Sequence, residues 1–309
     1  MKIQGNEVCL LNCKSYDRQK IKEAMDRICV QCGVRVANGV RVLLKPNLVS
    51  AKGHDGIACT HPEFVAAAAE WFIDHGAVVS IGDSPAFGSG KKVMDILGIT
   101  ESLAGLPVKF ADFTKIRKMK LSGGTVVGVA ADAFDCDFLA NLPKLKTHVQ
   151  LLVSFAVKNY FGTVVGFRKP WIHGKYGDVG NKFEEILVDL LDELPAGISL
   201  IDGIQALHEK GPIKGKSFPL GLIGGAINPV ALDTALLDLF GIKESRSPLW
   251  KECARREHPG SYIGELIFPL KTPGDFCAEK FKVPARLSRI SFNPMRLVHG
   301  SIKRIFTKL

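Results

Sequence analysis

The sequence predicts an α/β protein: a mixed, mainly parallel sheet flanked by helices, with a small inserted β meander and a basic helical tail. Three observations carry that expectation. Short, nearly unbroken apolar runs such as Gly39 to Leu44 (GVRVLL) and Ala77 to Ile81 (AVVSI) have the character of strands buried on both faces. They alternate with longer helix-patterned stretches, the rhythm of β/α units. Polar residues recur at the predicted strand ends: Lys45 and Asn47, Asp83 and Ser84, Lys144 through His148, and Asp202. In a parallel sheet these carboxyl ends share one edge, where open α/β sheets take their ligands.

Glu7 to Asn12 (EVCLLN) reads as the first strand, and Asp17 is placed to cap a helix running to about Cys32. Cys29 and Cys32 have the C-x-x-C spacing of a redox pair or half a metal site. No second C-x-x-C follows, so a closed four-cysteine site is not supported. After the strand GVRVLL, Pro46 ends the ladder and keeps Lys45 extended. The polar loop beyond holds His54, Asp55, Cys59, Thr60 and His61. Thr60-His61-Pro62-Glu63 is a helix start, and Phe64 to His75 an Ala-rich helix that Gly76 ends. The strand AVVSI runs into Gly82-Asp83-Ser84-Pro85 and a helix ending near Leu97. This loop has neither the P-loop order nor G-x-G-x-x-G, although a helix start there favours an anion. Val108 to Phe110, Lys118 to Leu121 and Thr125 to Val129 form the expected meander, within residues 106–133, before a central strand from Asp135 to Leu142.

That strand leads into Pro143-Lys144-Leu145-Lys146-Thr147-His148. If the segment stays extended, Lys144, Lys146 and His148 point one way and Leu145 and Thr147 the other. Two ammonium groups and an imidazole on one face repel unless an anion or water lies between them. The pattern reads as a cationic pocket for a small anion, or else as a solvated strand end. A helix-like run, Val149 to Tyr160, follows and carries Lys158-Asn159 in apolar surroundings. The Gly-rich aromatic stretch 166–176 is the candidate substrate loop. Phe183 to Leu194 reads as an amphipathic helix, Gly197 to Ile201 as a strand ending at Asp202, and Phe218 to Ile223 as another strand. Asn228 and Pro229 open a helix to Phe240, in which Asp233 needs a partner or a solvated face.

With 309 residues, 46% hydrophobic and 23% charged, the chain has the composition of a globular protein with a sizeable core. Its net charge of +10 is uneven, since seven of those charges lie in residues 279–309. There Val298, Ile302, Ile305 and Leu309 make one apolar stripe, with Arg296, Lys303, Arg304 and Lys308 largely off it, a basic amphipathic helix. Residues 1–278 are expected to form one body and 279–309 the tail, a docking element for a protein partner or a peripheral membrane contact. Nucleic acid is disfavoured, because no recognisable binding module accompanies the charge. No apolar run of about 18 residues exists for a spanning helix. The eight cysteines do not read as a disulfide framework and no signal segment follows Met1, so a reducing cytoplasmic setting is expected.

Six pieces occur in order: Leu44-Lys45-Pro46-Asn47-Leu48, His61-Pro62-Glu63, Gly82-Asp83-Ser84-Pro85, Leu142 through His148, Val157 through Gly162, and Asn228 through Asp233. Together they resemble the uncharacterised prokaryotic family called domain of unknown function 362, over roughly residues 5 to 270. The resemblance implies an association with iron–sulfur proteins, because many members are fused to ferredoxin-type segments. This sequence has no such cysteine run, so a metal ion or iron–sulfur cluster is not supported by its cysteine spacing.

Three functions compete. The first is an enzyme for a small anionic metabolite, carboxylate or phosphate. Lys45, Asn47, Ser84, Lys144, Lys146, Lys158 and Asn159 would bind it, His148 would serve as acid or base, and Asp83 and Asp202 as partner carboxylates. Isomerase- or lyase-type proton transfer is slightly favoured. The second is a metal- or cluster-linked redox protein, with His54, His61 and His208 as candidate ligands and a ferredoxin-like partner. The third is a non-enzymatic assembly protein that docks through its tail.

Overall fold

The computed structural model describes residues 5–49, 56–85, 89–165, 172, 176 and 180–288. The chain begins with β1 (Cys9–Asn12), α1 (Arg18–Gln31), β2 (Arg41–Pro46), α2 (Pro62–Asp74) and β3 (Val78–Ile81). There follow α3 (Gly90–Ile96), α4 (Ile99–Ser102), β4 (Lys109–Phe110), β5 (Ile116–Lys120), β6 (Val126–Ala130) and α5 (Asp132–Asp135). Next come β7 (Phe138–Leu142), β8 (Lys144–His148), β9 (Leu152–Ser154) and α6 (Ala156–Asn159). The rest is α7 (Lys182–Glu193), β10 (Gly197–His208), β11 (Lys216–Phe218), β12 (Leu222–Ala226), α8 (Pro229–Leu239) and α9 (Pro248–Arg255), with short 3-10 turns between.

The main sheet runs β1-β12-β10-β7-β2-β3-β4. Its central strands β10, β7, β2, β3 and β4 are parallel neighbours, and β12 joins β10 and β1 antiparallel. The sheet is mixed and mainly parallel, with helices on both faces. Successive residues of β2 go to opposite sides: Val42 and Leu44 pack in one core cluster with α1 and α2, and Leu43 in another with α7 and the β5–β6 hairpin. Caps fix where the helices start. Asp17 accepts from Lys20 N, His61 from Glu63 N, and Asn228 from Val230 N and Ala231 N.

Three expectations change. The meander is a two-stranded hairpin, β5 with β6, while β4 joins the main sheet beside β3. The run Val149 to Tyr160 is not one helix. Leu152 takes a positive φ of 72°, which a helix cannot contain, and β9 folds back antiparallel on β8. Only Ala156–Asn159 is α-helical, with a 3-10 turn at Tyr160–Thr163 after it. The strand expected to stop at Asp202 runs on to His208, because β10 pairs first with β7 and then with β8. The tail helix and the loop histidines His54 and His173 lie outside the described residues.

A buried lysine cluster at the carboxyl edge of the sheet

Parallel pairing of β2, β3 and β7 brings their carboxyl ends to one edge, and β8 continues that edge beyond Pro143. Lys45, Lys144 and Lys146 are all buried there, with relative exposures of 0%, 2% and 1%. Lysine is rarely buried without a partner, so the partners decide what the cluster is.

Lys144 is fully answered. Its Nζ lies 2.8 Å from Asp202 Oδ2 and donates to the Tyr16 hydroxyl at 2.8 Å. Asp202 also accepts from Tyr16 Oη at 2.9 Å, His61 N at 3.1 Å and Ile204 N at 3.3 Å. His61 stacks on Tyr16, centroids 3.5 Å apart. Lys45 pairs with Asp83, Nζ to Oδ1 at 2.7 Å, and donates to Pro46 O at 3.0 Å. Asp83 Oδ2 accepts from Leu48 N at 3.1 Å. Gly162 covers this pair so closely that a Cβ there would collide with both charged groups. Burial lowers the pKa of both lysines, and the facing carboxylates oppose that shift.

Lys146 is different. Among the described residues its ammonium meets only neutral oxygens, Asn47 Oδ1 and, at 2.8 Å, Ala58 O. Burial pushes its pKa down to about 8; Cys59 and Asp83 oppose that shift, while Lys144 and Lys45 add to it. Asn47 begins a relay of amides. Its Nδ2 donates to Asn159 Oδ1 at 2.7 Å, Asn159 Nδ2 to Asn141 Oδ1 at 2.8 Å, and Asn141 Nδ2 to Ser199 Oγ at 3.0 Å. This chain ties α6 to β2, β7 and β10. Thr60 fixes its near end, accepting from Asn47 N at 2.8 Å and donating to Leu142 O at 2.7 Å.

The alternation expected along β8 is realised: Leu145 joins the core on the other face, and Thr147 Oγ1 accepts from Gly211 N at 3.0 Å. His148 is buried, and its pKa is held well below the usual imidazole value, by burial first and then by Lys158 and Lys146. Its Nδ1 accepts from Gln150 N and Leu151 N, both at 3.2 Å. The neutral ring therefore carries its proton on Nε2, where it donates rather than accepts. Its Nδ1 lone pair holds the turn into β9, so of the acid-or-base role expected for His148 the ring offers the Nε2–H. Lys158 sits with its Nζ 4.1 Å from the Phe161 ring centroid and 5.1 Å from that of Phe183. Ser84 contributes a backbone contact, N to Gly162 O at 3.1 Å.

Of the candidate metal ligands, the two that are described, His61 and His208, are not brought together. His61 caps α2 beside Asp202, whereas His208 sits at the far end of β10 near Phe218 and Phe281, accepting from Lys282 N at 3.3 Å. Among the described residues no three His, Cys, Asp or Glu side chains converge as a metal site. In the Cys29/Cys32 pair, the Cys32 Sγ bonds to Cys9.

Sequence reasoning passed over Tyr16, Asn141 and Ser199 as site residues. Asn141 and Ser199 had a usable signal, since each is a polar residue inside an apolar strand run. Asp233, which needed a partner, has two: its carboxylate accepts from Ala156 N at 2.7 Å and Val157 N at 3.2 Å and so holds the start of α6.

The fold and this cluster define an α/β protein with a lysine-rich, internally hydrogen-bonded sheet edge. The chain belongs to the family described as Domain of unknown function (DUF362), which it matches over residues 42–238. A thylakoid-associated protein of Synechocystis sp. is 32% identical over 307 residues, covering 97% of this chain and 95% of that relative. The lactate racemase apoprotein from Thermoanaerobacterium thermosaccharolyticum superposes with a TM-score of 0.46 at 10% identity, covering 78% of this chain and 58% of that one. No chemistry is carried over from that likeness. Among the described residues no helix is long and apolar enough to cross a membrane.

Proposed function

We propose that the protein is an enzyme acting on a small anionic metabolite, a carboxylate or phosphate, anchored at Lys146. One observation carries the reading. Lys45 and Lys144 each have a carboxylate, and Lys146, in the same buried edge, has only neutral acceptors among the described residues. A buried ammonium without a counter-charge is costly, and an anion beside it removes the cost. With its pKa at about 8, Lys146 also exchanges a proton near neutral pH, which suits proton transfer next to a carboxylate. The Nε2–H of His148 is the complementary donor, and the two ion pairs and the amide relay hold the frame. All eight cysteines are free thiols, in keeping with a cytoplasmic setting. The basic segment 279–309 is our candidate for docking to a partner protein or a membrane surface, which the thylakoid association of the relative favours.

The test is a thermal-shift and calorimetric screen of carboxylated and phosphorylated metabolites at pH 7. At least one anion should stabilise the wild type. Lys146→Met should weaken its binding tenfold or more, the loss of one charge-assisted contact of about 1.5–3 kcal/mol. A bound anion incubated in heavy water should then exchange the hydrogen next to its carboxylate. If no anion binds, or if Lys146→Met binds it equally well, the reading fails.

A further inference from the structure

A pair of thiols lies away from the lysines, between β1 and the end of α1. Cys32 is the C-cap of α1, and its Sγ donates to Cys9 Sγ at 3.8 Å. Cys9 opens β1, directly opposite Gly225 of β12. Cys32 Sγ also lies 3.8 Å from Gly225 O. The helix end comes this close because position 225 has no side chain: a Cβ there would press on Ile28 of α1 at 2.5 Å. Cys29, the sequence neighbour in the C-x-x-C spacing, is fully buried, and burial raises its pKa. The spacing therefore misleads, and the partner of Cys32 is a residue 23 positions away in sequence.

We infer that Cys9 and Cys32 are a disulfide-forming pair, oxidised by a peroxide and restored by a dithiol reductant. The two sulfurs already touch, so a bond needs a short approach and no refolding. The shared proton helps: the bond from Cys32 lowers the pKa of Cys9, against burial and the nearby Glu7, and the same bond raises that of Cys32. The Cys9 sulfur, the more thiolate-like of the two, takes one peroxide oxygen, giving a sulfenic acid and one water. The Cys32 sulfur, in a residue 8% exposed against 0% for Cys9, then attacks the Cys9 sulfur, the S–O bond breaks, and a second water leaves with the thiol proton. Two thiols and one peroxide become one disulfide and two waters.

The bridge closes the loop that contains the turn between β1 and α1, and Tyr16 in that turn bonds to Asp202 and Lys144. The oxidised state thus braces the element that holds one wall of the lysine cluster. This inference rests on the geometry of β1, β12 and α1 and stands whether or not Lys146 binds an anion.

The test uses the full chain, purified with reductant and then titrated with hydrogen peroxide near one equivalent. Free thiols are alkylated and the digest is mapped. The peptides of Cys9 and Cys32 should appear as one species that dithiothreitol splits. Cys29→Ala should leave that species intact, and Cys32→Ala should abolish it. The bridged protein should melt higher by on the order of 5 °C. A map in which Cys32 carries higher oxides while Cys9 stays alkylatable, or in which Cys32 links to Cys29, overturns the pairing. A bridged form that melts lower than the reduced one overturns the brace. Wild-type mapping decides the pairing even if a variant fails to fold.

Discussion

Two regions of this molecule bury charge, and they do so differently. Where α7 and α9 meet, Glu252 accepts from Arg255 at 2.6 Å, from Arg256 at 2.6 Å and from Asn181. Asp189 accepts from Arg256 at 2.6 Å and from Ser122 Oγ at 2.8 Å. Both carboxylates there have guanidinium partners, and the network joins α7, α9 and the turn of the β5–β6 hairpin. At the sheet edge two lysines are matched by carboxylates, and among the described residues a third is not. A closed network is a reason for helices to stay together. A matched frame around one ammonium that has only neutral acceptors is the arrangement on which the proposed anion site rests. The contrast, more than the number of lysines, is what separates a structural cluster from a candidate site.

The contrast breaks first at Asp202. Its removal by Asp202→Ala strands the Lys144 ammonium in a fully buried position and deletes the acceptor for Tyr16, His61 N and Ile204 N. Urea unfolding should show a loss of about 3–5 kcal/mol. Glu252→Ala should cost somewhat less, about 2–3 kcal/mol, because the stranded Arg255 is half exposed and water screens it. Lys146→Met should behave in the opposite sense. It removes a buried charge that, among the described residues, touches no carboxylate, so the protein free of ligand should keep its stability to within about 1 kcal/mol or gain. A loss of the size seen for Asp202→Ala would mean that Lys146 is structural, and the two regions would then be alike.

Much of this was legible in the sequence, and the reasons are local. Apolar runs broken by Pro46 and Pro143 marked the strand ends, and caps at Asp17, His61 and Asn228 marked helix starts, because backbone sterics and unpaired N–H groups act over a few residues. The facing of Lys144 and Lys146 followed from the two-residue period of a strand. Partners were not legible. Nothing near Lys144 in sequence announces Asp202, which is 58 residues away, and only the pairing of β8 with β10 joins them. Val149 to Tyr160 was misread because a stretch of Val, Leu and Phe suits a strand as well as a helix; the turn anchored on His148 Nδ1 decided it. His148 itself shows that spacing gives a residue's direction but not which nitrogen is free.

The smallest and sharpest effect is in the pH dependence. In the folded protein Lys146 has its pKa lowered from 10.5 to about 8. Between those values the unfolded chain binds more protons than the folded one, so stability must rise with pH across that window. Below about pH 8 both states are protonated and the cost of the buried ammonium is present in full. Above 10.5 it is gone. Other groups titrate nearby, and burial pushes Asp233 up to about 8, which works the other way. The quantity to measure is therefore the difference between wild type and Lys146→Met in chemical denaturation, followed from pH 7 to 10. Wild type should gain on the variant as pH rises, by up to on the order of 3 kcal/mol if the whole shift is realised. A bound anion should flatten the same curve, because it holds Lys146 protonated and moves its pKa back up. A difference that stays flat without ligand would place a counter-charge beside Lys146 already, and the distinction between the two regions would disappear.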